Sequence, residues 1–128
     1  MKTKTIYLKI AGFLNVFTAF LHTIGGQMDL INPFLKLGLN TQIKAELLGV
    51  WHMVTIFLFS TSYILLLAGF KQKKHFQLIQ FIGFLFILMS IPFIINSIVY
   101  QILVPQWILL LPIGILTLIG INKTNQHA

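Results

Sequence analysis

The chain has no cysteine, no arginine and only two acidic residues, Asp29 and Glu46, in 128 positions. Without cysteine it has no disulfide, thiolate nucleophile or thiolate metal ligand. Without arginine it lacks the planar fork that grips phosphate bidentately. Charged residues make up 9% of the chain, where a soluble domain carries roughly 25%. A hydrophobic share of 57% excludes a disordered chain, which needs low hydrophobicity and high charge. No Ser-His-acid context is visible. Gly25-Gly26 lacks the following Lys-Ser/Thr of a phosphate loop. No two histidines sit at metal-ligand spacing on one helix, and no internal repeat suggests a dual-repeat transporter.

What is present is apolar sequence in long runs. Windows 10–28, 47–70 and 75–122 contain no Asp, Glu, Lys or Arg. A crossing needs about 20 apolar residues, so the first two windows hold one helix each and the third holds two. Val104-Pro105-Gln106 is the turn in the third, because proline disfavours helix just before it and starts one well. The expectation is an all-α, four-transmembrane-helix antiparallel bundle forming a single integral membrane domain over 1–128. Its helices run over about 5–25, 45–69, 76–103 and 106–122. Pro92 predicts a kink in helix 3 and frees the Leu88 carbonyl, with Ser90 as its candidate partner.

The nine lysines fix a sidedness. Lys2, Lys4, Lys9, Lys71, Lys73, Lys74 and Lys123 fall on one side, and Lys36 and Lys44 on the other with both acids. The positive-inside rule places both termini in the cytoplasm. Nucleic acid is not an expected partner, since the lysines flank apolar runs instead of forming a solvated basic surface. The basic start could be taken for a signal peptide, but no small-residue cleavage site follows, so helix 1 is read as retained.

Residues 26–44 read as the one sizeable loop. Asn32-Pro33 suggests an N-cap and first turn, giving a short interfacial helix between helices 1 and 2 that ends at Gly38 or Asn40. It is either a lipid-facing connector or a lid. Asn40 or Thr41 caps helix 2, and Glu46 suits that helix's N-terminal dipole.

Polar residues inside the spans form stripes: Asn15, Thr18 and His22 on helix 1; Gly49, His52 and Thr55 on helix 2; Gly83, Ser90 and Ser97 on helix 3; Gln106, Gly114 and Thr117 on helix 4. Close packing in lipid uses small and hydroxylated residues in this way. The stronger polar side chains gather in the outer half, and the inner half reads as nearly featureless between Phe59 and Phe86. His22, Glu46, Trp51, His52, Asn96, Tyr100, Gln101, Gln106 and Trp107 therefore outline an outward-facing polar pocket. His22 and His52 are the candidate ligands for a metal or haem, or a proton relay with Glu46. A small apolar or quinone-like ligand lined by Trp51, Phe57, Phe93 and Trp107 is the other occupant. His75, beside Lys73-Lys74, reads as headgroup contact, and His127 as tail.

With Leu21-His22-x-x-Gly25-Gly26, Trp51-His52 and Pro105-Gln106-Trp107 through Leu111-Pro112-Ile113-Gly114 in view, the chain resembles small bacterial four-helix integral membrane proteins of unknown function. In layout it is similar to the DoxX-like group. The resemblance spans the chain and implies no activity and no site residue. The Ile, Phe, Lys and Asn bias is consistent with an AT-rich bacterial genome, hence a bacterial cytoplasmic membrane. The expected role is a non-enzymatic small membrane subunit or ligand-binding module, with the lipid bilayer and either a second copy in a homo-oligomer or other membrane subunits as the expected partners. A redox or metal protein and a small transporter or channel component are the alternatives. Because the chain lacks cysteine, single substitutions report its sidedness. An impermeant maleimide added to intact cells should label Leu37→Cys and should reach Gln72→Cys only after lysis. The reverse pattern contradicts the lysine reading.

Overall fold

The computed structural model describes residues 2–71 and 75–125, with side chains from Thr5 to Lys71 and His75 to Ile121. It is all-helical, with no strand among the described residues. Helix α1 spans Lys2–Phe20, a π-helical segment spans Leu21–Ile31, and α2 spans Asn32–Leu35. These three run on as one rod. Helices α3 (Thr41–Lys71), α4 (Phe76–Val99) and α5 (Gln106–Asn125) follow. The first rod, α3 and α4 are each long and apolar enough to cross a membrane. Helix α5 is apolar over the shorter stretch Gln106–Ile121.

Several ends depart from the sequence expectation. Helix 1 does not stop near residue 25. Asn32 is not a cap but a helical residue (φ −61°, ψ −45°) whose N–H bonds the Gln27 carbonyl. Pro33 fits there because it has no N–H to place. The connector shrinks to 36–40, where the Lys44 ammonium donates to the Leu35 carbonyl at 2.7 Å. Asn40 does cap α3. Its Oδ1 accepts the Gln42 N–H at 2.8 Å, and its carbonyl takes the Lys44 N–H. Helix α4 ends at Val99, not 103, because Gln101 adopts a left-handed conformation (φ 55°). The Ser97 hydroxyl then takes the Val104 N–H at 3.0 Å and closes the turn before Pro105. Ser90 bonds the Ile87 carbonyl, not that of Leu88.

Packing follows from where glycine lets backbones meet. Helix α1 packs on α3 and α5, and α5 on α4, while α3 and α4 touch only sparsely. Gly12 lies against Leu66 and Gly69 against Lys9, so α1 and α3 run in opposite directions. Gly83 lies against Gly114 and Leu118, and Gly114 against Ile87, so α4 and α5 do too. Gly120 lies against Leu8. Phe57 and Phe86, 5.6 Å apart, bridge α3 and α4. The core is Leu8, Ala11, Ala19, Leu58, Leu65, Ile79, Ile82, Phe86, Leu110, Ile113 and Ile121. Large apolar side chains face outward instead, among them Phe13, Phe17, Met53, Phe81 and Leu88. Large apolar residues outside, with glycine at the closest helix contacts, is the arrangement a lipid solvent favours.

At Gly114 an added Cβ would stand 2.7 Å from the Gly83 carbonyl and 3.0 Å from the Ile87 nitrogen. Backbone cannot yield as a side-chain tip does, so Gly114→Ala should destabilise by about 1–3 kcal/mol. Gly49 has nothing within 4 Å of its added Cβ, and Gly49→Ala should be neutral or stabilise by up to about 1 kcal/mol. Thermal unfolding in detergent separates the two. Equal melting temperatures would contradict this packing.

Candidate functional site

The candidate site begins with the register of the first rod. In an α-helix seven residues make just under two turns and nine make two and a half, at about 100° each. On that count Asp29 would share the face of His22, and Ile31 would lie opposite. In a π-helix, with i→i+5 bonds and roughly 4.4 residues per turn, nine residues make about two turns and seven about one and a half. The observed exposures follow the π count: Ile31 is 4% exposed, His22 is half-buried, and Asp29 is exposed. The Gln27 amide donates to the Asn32 side chain at 3.0 Å, another i, i+5 pair. The widened register thus leaves Asp29 exposed and buries Ile31. Gly25-Gly26 makes the α form less favourable in this stretch.

Within this segment His22 lies flat on Trp51, with ring centroids 3.8 Å apart and planes 21° from parallel. Such a stack contributes roughly 0.5–1.5 kcal/mol beyond buried area. His22 Nε2 is 3.3 Å from the Trp51 carbonyl, which only accepts, so Nε2 carries the hydrogen. In the neutral ring Nδ1 is then an acceptor. The same carbonyl takes the Thr55 hydroxyl at 3.1 Å. Gly26 makes room for the indole: an added Cβ would lie 2.4 Å from Trp51 Cη2.

The other expected pocket residues are dispersed. His52 is exposed, about 100° around α3 from Trp51. Glu46 is exposed and accepts from Gln42 at 2.9 Å. Asn96, Tyr100, Gln101 and Gln106 are exposed. Trp107 is half-buried, and its Nε1 is buried without a partner. It lies level with the stack, since counting equally outward from the Leu8–Gly120 contact reaches His22 on one rod and Gln106 on the other. Of the suggested lining, Phe57 and Phe93 pack against the core. No group of three or more His, Cys, Asp or Glu that could hold a metal occurs among the described residues.

Within that nearly featureless stretch Thr61 and Ser62 are buried. Asn15, fully buried, donates to the Leu58 carbonyl at 3.2 Å and to the Thr61 hydroxyl at 2.9 Å, tying α1 to α3. Its Oδ1 has no partner. Thr18, Thr61, Ser62 and Thr117 each donate to the carbonyl four residues back at 2.7–2.8 Å, so they pass through an apolar setting without unpaired donors. Sequence reading missed the Asn15–Thr61 link and the register change. The signals available for the latter were the Gln27/Asn32 spacing and the order of Asp29 and Ile31.

No protein-family model matches the chain, and no curated protein or solved structure matches it at a significant level.

Gly26→Ala should displace the Trp51 ring from His22, shift tryptophan emission and lower stability by about 1–3 kcal/mol. Gly25 has nothing within 4 Å of an added Cβ, so Gly25→Ala should leave the emission unchanged. Identical spectra for both variants would contradict the stack.

Proposed function

We propose that this is an integral membrane protein of the bacterial cytoplasmic membrane, a four-helix antiparallel bundle with both termini cytoplasmic. Its role is that of a non-enzymatic ligand-binding module. Three apolar helices of spanning length support the membrane reading. Helix α5 is apolar over Gln106–Ile121, about 24 Å, and packs on both α4 and α1, which supports a fourth crossing. The seven-to-two division of lysines supports the orientation.

One observation carries the ligand reading: the half-buried imidazole of His22 stacked on Trp51. With Nε2 committed to a carbonyl, the ring offers Nδ1 as an acceptor beside a flat indole. That pairing suits a small apolar ligand bearing one hydrogen-bond donor, since membrane pockets need an apolar wall and few polar handles.

Native mass spectrometry of the full chain in mild detergent tests this. The wild type should carry a stoichiometric added mass, lost in the His22→Ala/Trp51→Ala double variant. Bare protein in both would overturn the ligand reading.

A further inference from the structure

We infer that the lysine-rich end carries a binding site for the phosphate of an anionic phospholipid, centred on Lys9. The inference rests on the membrane reading above. The contacts of Lys9 with Gly69 and of Leu8 with Gly120 bring the start of α1, the end of α3 and the end of α5 to one end of the fold. Lys2, Lys4, Lys9, Lys71 and Lys123 lie on those elements, and Lys73 and Lys74 lie between α3 and α4 in sequence. This end has no Asp or Glu. Asp29 lies in the π segment and Glu46 near the start of α3, both at the opposite end.

Lys9 differs from a free surface lysine. Its stem packs on Gly69, where an added Cβ would meet Lys9 Cγ at 2.8 Å. Its ammonium sits over the Phe70 ring, 4.4 Å from the centroid. Phe13 meets the same ring edge-on at 6.2 Å. The cation is therefore held in place by apolar and aromatic groups, with no Asp or Glu side chain at that end to neutralise it. Ile6, Ile10, Phe13 and Phe70 around it are each about half exposed, an apolar surface fit for an acyl chain. A lipid phosphate supplies the missing countercharge while its tail covers this surface. Zwitterionic lipid brings a phosphate with its own cation, so an anionic headgroup gains more from the uncompensated lysines.

The test uses the full chain reconstituted in phosphatidylcholine vesicles with trace spin-labelled phosphatidylglycerol or phosphatidylcholine. Electron paramagnetic resonance gives the immobilised fraction of each. The wild type should favour phosphatidylglycerol about fivefold, and part of that preference should persist in 0.5 M salt, since a half-buried charge is screened less. Lys9→Gln should bring the ratio close to one, Lys9→Arg should retain it, and Lys36→Gln at the other end should leave it unchanged. Helical content by circular dichroism checks that each variant is folded. Equal association of the two lipids overturns the inference. So does a preference that survives Lys9→Gln and disappears only in Lys73→Gln/Lys74→Gln, which would make it a diffuse surface effect. A chain that fails to float with the vesicles at alkaline pH refutes the membrane reading itself, a different result from flotation without lipid preference.

Discussion

Ile31 is buried and Asp29 exposed because the backbone of the first rod changes register at Leu21. Up to Phe20 an α-helical count places Gly12, Asn15 and Ala19 toward the interior. Continued unchanged, that count would turn Asp29 toward α3 and Ile31 away from it. The π segment reverses the two. With the register set this way, Gly26 faces the Trp51 ring, His22 lies on its face, and the Lys44 ammonium reaches the Leu35 carbonyl across a short connector. The widened helix is thus a cause of the site's geometry.

Apolar side chains lie on both sides of the helices: leucines, isoleucines and Phe86 fill the core, while Phe13, Phe17, Met53 and Phe81 cover the outside. Glycine sets the closest contacts between helices. Backbone-to-backbone approach at Gly83–Gly114 then does what interdigitating leucines do in water-soluble bundles. Polar groups survive in the interior because most are satisfied within their own helix. Asn15 is the exception that links two helices, and its contact with α3 falls at mid-span. The opposite ends differ in charge, one basic and the other balanced.

Charge-free windows made the helices legible in sequence, since twenty-odd residues without a charge have few other fates. Asn40 as a cap and the Pro105 turn were readable because each rests on local chemistry. The end of the first helix was not. Asn32-Pro33 has the composition of a helix start, yet the preceding chain arrives there already helical, in a register that composition does not report. Gln101 ended α4 early without being glycine, helped by a serine hydroxyl seven residues before the amide it receives. Of the expected site, His22 and Trp51 came together, while His52 did not join them. One residue along an α-helix is a rotation of about 100°, and no stripe of small residues resolved Trp51 from its neighbour.

The register of Leu21–Ile31 is the claim on which the site stands. Its most direct test is a nitroxide scan of residues 21–31 in the reconstituted protein, reading collision with oxygen and with a water-soluble nickel chelate. The account predicts protection at 31, accessibility at 29 and a period near 4.4 residues, roughly that of i→i+5 bonding. Protection at 29 with accessibility at 31, at a period near 3.6, would contradict it.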